Sequence, residues 1–306
     1  MILISGASGF IGNEVINQLT MDFRVTEHTK EIDVLDHLPN CHGVDHLDLA
    51  LPISSDIFDG ITTVINLAGL AHSLNFSEND HMNVNFEGTV EMARVAEISG
   101  VNRFIHISTT NVYGLDSSSS PLYVDSVCQP KTPYSQTKHL TELSLREIEK
   151  RSDMEVVIIR APLVYGANAL GNFNSLMKFI HKVPLLPFGL VCNQRDFISV
   201  QNLAHLLSTC ATNPEAAGHT FLASEGETVS TKEFTNAIAK GLGKKIYQLP
   251  IPVSLMRFAG KLLGKSAMVE QLVGNLQVDS SDLKKVLGWT PPYTMEESMT
   301  FLKKTK

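Results

Sequence analysis

ILISGASGFIG, residues 2–12, joins an apolar run to three glycines, Gly6, Gly9 and Gly12, at spacings of three. A short strand that runs into glycines and opens a helix gathers free backbone N–H groups and the positive helix end at one point, which suits a pyrophosphate. The first glycine permits the tight turn, the second lets a phosphate approach, and the third packs helix against strand. Gly6, Ser8, Gly9, Phe10, Ile11 and Gly12 are therefore candidate cofactor-binding residues.

Further strand-like runs follow at 23–27, 63–67, 104–108 and 156–160, with helix-like segments between them. One is NVNFEGTVEMARVAEISG (83–100), apolar at spacings of three and four and closed by a glycine. Such alternation implies crossover units and a parallel sheet. The fold class expected is α/β: a Rossmann-type doubly wound parallel sheet with a smaller C-terminal α/β substrate-binding region. The expected division is a dinucleotide-binding unit over 1–162, to which the chain returns at about 198–224, and a substrate-binding region over 163–197 and 225–306. In that region Ser230 and Glu233 have the spacing of a capping box. The one low-complexity patch, DSSSS (116–120), is expected to be a mobile loop near the ligand.

With 306 residues, 43% of them hydrophobic, the chain can bury a substantial core. A net charge of -7 with scattered basic residues argues against a nucleic-acid surface. No run is long and apolar enough to span a membrane, and no basic leader precedes the first strand, so no membrane insertion and a cytoplasmic location are expected. Cys41, Cys128, Cys192 and Cys210 lack metal or dithiol spacing, and the eleven histidines show no ligand pattern. No metal is expected; His72, just past a strand end, is the histidine placed to reach a substrate. The segment IPVSLMRFAGKLLGK (251–265) is apolar with basic punctuation, and could lie on a membrane or, as expected, pack under the substrate cleft.

Dinucleotide folds end the second strand on an acid that holds the adenosine ribose. Counting through DFRVTEHTK places that position near Thr29, with Lys30 next, a pairing that tolerates a 2′-phosphate. NADP is then as plausible as NAD, and Lys30 joins the cofactor set. Asp48 and Leu49, in HLDLA, are candidates for the adenine, and Leu67, Ala68 and Gly69, in NLAG, for the strand end beneath the cofactor. YSQTK sets Tyr134 and Lys138 on one face of a helix, where an ammonium would lower a phenol pKa from about 10 toward neutrality. The preceding strand, FIHISTTNVYG, offers Ser108 and Thr109 at its C-terminal end.

GASGFIG, VINLAG, NVNFEGT, STTNVYG, YSQTK, RAPLVYG, QRDFISVQNLA and LGWTPP together resemble the extended short-chain dehydrogenase/reductases that act on nucleotide sugars, over nearly the whole chain. The resemblance implies that Tyr134 is the general acid/base, that Lys138 holds the nicotinamide ribose, and that Thr109 bonds the reacting sugar oxygen. It also implies a UDP-linked sugar substrate, a diphosphate clamp at Arg195, a contact from Asn172, PLLPFG along the uracil, and a homodimer through the helices near 83–99 and 134–151. Arg160 is followed three residues later by Leu163 where many relatives carry asparagine. Thr110 and Asn111 stand where dehydratases of the family place an Asp-Glu pair, so dehydration is not expected. Thr109, Thr110 and Asn111 are read as substrate contacts. The reaction expected is reduction of a 4-keto-6-deoxy sugar, of the UDP-N-acetylquinovosamine type, in surface-polysaccharide synthesis. The alternatives are a UDP-glucose or UDP-N-acetylglucosamine 4-epimerase with tightly held NAD, and a non-catalytic NAD(P)-binding sensor.

Overall fold

The structure is a computed structural model that describes residues 1–28, 38, 40–71 and 76–304. Its strands, in chain order, are β1 (Ile2–Ser5), β2 (Phe23–Glu27), β3 (Cys41–His46), β4 (Thr63–Asn66), β5 (Arg103–Thr109), β6 (Glu155–Ala161), β7 (Leu163–Tyr165), β8 (Leu185–Leu186), β9 (Phe197–Ser199), β10 (Thr220–Leu222) and β11 (Tyr247–Gln248). The α-helices are α1 (Phe10–Gln18), α2 (Glu78–Asp80), α3 (Thr89–Ile98), α4 (Pro133–Lys150), α5 (Gly171–Lys182), α6 (Val200–Thr212), α7 (Thr231–Gly241), α8 (Val253–Leu262), α9 (Ser266–Val273), α10 (Ser281–Leu287) and α11 (Met295–Thr300).

Seven strands form one sheet in the order β10-β6-β5-β4-β1-β2-β3, every neighbouring pair parallel. β1, β4 and β5 are buried along their whole length, as apolar strands covered on both faces must be. The order reverses at β1, so the loops after β1, β4 and β5 open side by side at the carboxyl edge, where such sheets bind ligands. One face is covered by α1 and α6, whose Val15, Leu203 and Leu207 share a core with Ile4, Ile105 and Ile159. The chain's one tryptophan, Trp289, joins that core, and its indole N–H donates to His205 Nδ1 on α6 at 2.9 Å. On the other face α3 and α4 bring Met92, Ala96 and Leu145 against Leu3, Val64 and Phe104. A separate aromatic core gathers Tyr165, Phe173, Phe197 and Phe234, the last two stacked with centroids 3.9 Å apart.

Three expectations need correction. The helix read over 83–100 is not α-helical throughout: His81–Gly88 is π-helical and α3 starts only at Thr89. Gly88 lies so close under the Leu49 carbonyl that a β-carbon there would overlap it. The 116–120 patch is held rather than loose, since Ser118 N–H donates to Asn275 O at 2.7 Å and Asp116 accepts from Gln271 Nε2 at 2.9 Å. Only one side of α8 packs inward, through Val253 and Met256; Leu255, Phe258 and Leu262 face outward. The capping box at Ser230 and Glu233 is present and starts α7.

Candidate active site

Gly6 follows β1 with φ of 73°, and a β-carbon there would sit 2.8 Å from Ala68 N, so the β1 and β4 loops approach to backbone contact. A β-carbon on Gly12 would overlap the Gly6 carbonyl, which forces α1 against the turn. Gly9 is the N-cap of α1 and no side chain caps that end. The first-turn N–H groups of Phe10, Ile11 and Gly12 are thus left for a ligand, and the residues present fit a dinucleotide diphosphate.

β2 ends on Glu27, as the run at 23–27 implied, so an acid stands two residues before the position counted to Thr29; its carboxylate accepts from both the backbone N–H and the hydroxyl of Ser8. The acid that the counting missed therefore touches the glycine loop itself. Thr29 and Lys30 lie outside the described residues, as does His72. Asp48 follows β3, where its carboxylate accepts from Ala50 N–H at 2.9 Å and lies 3.8 Å from His28 Nδ1. Leu49 is buried in the sheet core. Leu67 and Ala68 continue from β4, and Gly69 leads on to Leu70, which Asn85 grips through both N–H and carbonyl at 2.7 and 2.9 Å.

Thr132 caps α4 with Pro133 in its first turn, placing Tyr134 and Lys138 one turn apart on the face turned to β5. Lys138 Nζ donates to Ile107 O at 2.9 Å, and burial lowers its pKa to about 8. A β-carbon on Gly69 would lie 3.7 Å from that ammonium. In the free chain Tyr134 departs from the expected lowering: desolvation pushes the phenol up to about 12. With Lys138 turned to a carbonyl and itself reluctant to carry charge, desolvation wins. Thr109 ends β5, its hydroxyl accepting from Asn111 N–H at 3.2 Å, while Thr110 is buried and Asn111 exposed. Ser108 does not face the crevice freely; its hydroxyl donates to Glu142 inside the core.

Arg195 and Asp196 do not form a surface turn. Asp196 is buried and accepts from Thr228 Oγ1 at 2.6 Å and Val278 N–H at 2.7 Å. Among the described residues the Arg195 guanidinium has one hydrogen bond, Nη1 to Gly274 O at 3.1 Å, and no carboxylate within 4.0 Å; burial lowers its pKa to about 10. A partly buried cation on which the Asp116 carboxylate acts only from beyond ion-pair distance suits an anionic ligand. Asn172 is exposed in the first turn of α5. No group of three or more His, Cys, Asp or Glu side chains among the described residues is placed to hold a metal ion.

A family model described as the NAD dependent epimerase/dehydratase family matches residues 2–223. The UDP-glucose 4-epimerase of Vibrio cholerae is 37% identical over 309 residues, covering 97% of this chain and 92% of the relative. This chain belongs to the NAD dependent epimerase/dehydratase family. Another relative, the N-acetyl-alpha-D-glucosaminyl-diphospho-ditrans,octacis-undecaprenol 4-epimerase of Escherichia coli O157:H7, is 24% identical and covers 97% of this chain and 92% of itself. Among solved structures the fold is shared with UDP-glucuronic acid 4-epimerase from Bacillus cereus in complex with NAD, with TM-score 0.78, 19% identity and coverage of 99% and 98%. It is shared too with the Bordetella bronchiseptica enzyme WbmG in complex with NAD and UDP, with TM-score 0.71, 20% identity and coverage of 98% and 92%.

Within this epimerase/dehydratase scaffold, three features around the site escaped the sequence. Glu27 is one. His81, one of the eleven histidines without a ligand pattern, sits on the π-helical segment with its ring edge-on to Tyr134, centroids 6.3 Å apart. The third is a buried network under α4. Arg160 donates through Nη2 to Glu142 at 2.7 Å and through Nη1 to Tyr113 OH at 2.7 Å and Val124 O at 2.9 Å. This network engages Arg160 where the sequence noted only a missing asparagine.

Proposed function

We propose that this protein is a 4-epimerase of a UDP-linked hexose or N-acetylhexosamine that holds NAD. In this reading the glycine loop and the α1 N-terminus carry the diphosphate, Glu27 holds the adenosine ribose, and Asp48 and Leu49 flank the adenine. Bound NAD supplies the hydride acceptor and a positively charged ring. Tyr134 takes the proton from the sugar C4 hydroxyl and returns it, Thr109 orients that oxygen, and Lys138 holds the nicotinamide ribose. Because burial holds the Tyr134 phenol near 12, its base form needs a positive charge beyond what Lys138 supplies in the free chain. Arg195 and Asn172 take the substrate diphosphate. Ile98 on α3 and Leu140 and Leu143 on α4 are exposed, which supports a homodimer through these helices.

The observation that carries the choice is Glu27. A carboxylate at the end of β2 suits free ribose hydroxyls and repels a 2′-phosphate, so it favours NAD over NADP. An epimerase recycles its cofactor, whereas the 4-ketoreductase reading needs a steady supply of reduced cofactor, for which Lys30 argued. Purified protein with UDP-glucose, and separately with UDP-N-acetylglucosamine, should yield the C4 epimer without net change in nicotinamide absorbance. Stoichiometric oxidation of NADPH by a UDP-4-keto-6-deoxy-N-acetylhexosamine, with no epimer formed, would replace this reading by the reductase. Tyr134→Phe should lower turnover by about 10²- to 10⁴-fold while NAD binding, followed by calorimetry, is retained. A Tyr134→Phe protein with full turnover removes the acid/base assignment.

A further inference from the structure

The outward face of α8 has no function in the reading above, and its composition is unusual for a surface. Leu255, Phe258 and Leu262 recur at spacings of three and four, so they line one side of the helix, and they are 53%, 60% and 72% exposed. The opposite side is already committed: Val253 and Met256 pack on the aromatic core, and Gly260 is pressed against Val269 of α9. The helix is thus apolar on two sides, and only one is covered. Leu263, at its C-terminal cap, and Met268, on α9, extend the exposed apolar surface. Such contiguous exposure marks a contact site rather than the scattered apolar residues of any surface.

Charge identifies what it contacts. From residue 234 to 269 the sequence has six basic residues and no Asp or Glu, within a chain of net charge -7. Lys240 and Arg257 are paired with Glu296 and Glu270. Lys244, Lys245, Lys261 and Lys265 are exposed and have no carboxylate within 4.0 Å among the described residues. Two copies meeting through this face would set basic residues against basic residues. An anionic lipid surface matches both properties, since it takes up leucine and phenylalanine side chains at the acyl boundary and attracts the flanking lysines. Among the described residues no helix is long and apolar enough to cross a membrane, so this contact is one of lying on the bilayer.

We infer that α8, with its flanking lysines, is a docking surface for an anionic lipid bilayer. The test is co-sedimentation of the full chain with vesicles of phosphatidylcholine alone and of phosphatidylcholine with phosphatidylglycerol. Binding to the anionic vesicles alone, weakened by salt, is the expected result. The triple variant Leu255→Ser, Phe258→Ser, Leu262→Ser should lose that binding with unchanged melting temperature and elution volume. Should the triple variant unfold, Lys261→Ala with Lys265→Ala serves, and should weaken binding about thirtyfold from two lost lysine contacts. The inference is overturned if wild-type protein leaves the anionic vesicles no better bound than the neutral ones. It is equally overturned if folded variants sediment as well as wild type. A triple variant that shifts from dimer to monomer would show that a second copy covers this face, and would also overturn it.

Discussion

Arg160, near the end of β6, and Arg195, just before β9, are both withdrawn from water, and their surroundings are opposite. Arg160 meets the Glu142 carboxylate, the Tyr113 hydroxyl and the Val124 carbonyl, and the carboxylate raises its pKa despite burial. Arg195 meets one carbonyl, and desolvation lowers its pKa to about 10. A buried charge fully met by its own chain locks elements together, here α4 to β6. One left short of partners retains capacity for a ligand. Lys138 is an intermediate case: one carbonyl partner at 2.9 Å, Glu142 acting on it from a distance, and a pKa lowered to about 8.

The sharpest test of this contrast removes one guanidinium at a time. Arg160→Met strands the Glu142 carboxylate inside the core and should lower unfolding free energy by about 3–5 kcal/mol in urea titration. Adding Glu142→Leu to that variant should restore much of the loss, because no charge then stays buried alone. Arg195→Met should leave the urea midpoint close to wild type and instead raise KM for the UDP-sugar about 10- to 100-fold. If Arg195→Met unfolds the protein as Arg160→Met does, the contrast fails.

Glu27→Gln should shrink the preference for NAD over NADP about tenfold, measured as the ratio of their dissociation constants. A further test concerns Lys138, whose pKa burial lowers to about 8. Because its folded pKa lies below the unfolded value, the unfolded chain holds more protons between about pH 8 and 10.5, and stability contributed by this group rises across that window. NAD affinity should fall over the same range as the ammonium is lost. Lys138→Met should flatten both profiles, which urea midpoints and cofactor titrations across this range would reveal.

The doubly wound sheet was legible because ILISGASGFIG and the buried strands after it are nearly continuous apolar runs, and the Tyr134–Lys138 spacing needs only a helix to become a shared face. Glu27 was passed over although it closes the run read at 23–27: the ribose position was counted two residues beyond that end, and the contact that marks the acid joins Glu27 to Ser8, 19 residues earlier. Glu142 and Arg160 are 18 residues apart on different elements, and only the packing of α4 on β6 joins them. The π-helical turn at His81–Gly88 runs directly into α3, whose apolar spacing carried the helical reading back over it. At α8 the pattern showed apolar residues but could not say which side the core would cover.

The solitary Trp289 makes the molecule its own optical probe. Its indole is buried among sheet-layer side chains and clasped to His205, so its emission reads the docking of the 281–289 segment onto α6. Loosening of that segment would redden the spectrum, while events confined to the aromatic core beyond α5 and α7 would pass without a signal. Fluorescence and far-ultraviolet dichroism, followed together during unfolding, therefore separate the release of this strap from the collapse of the sheet.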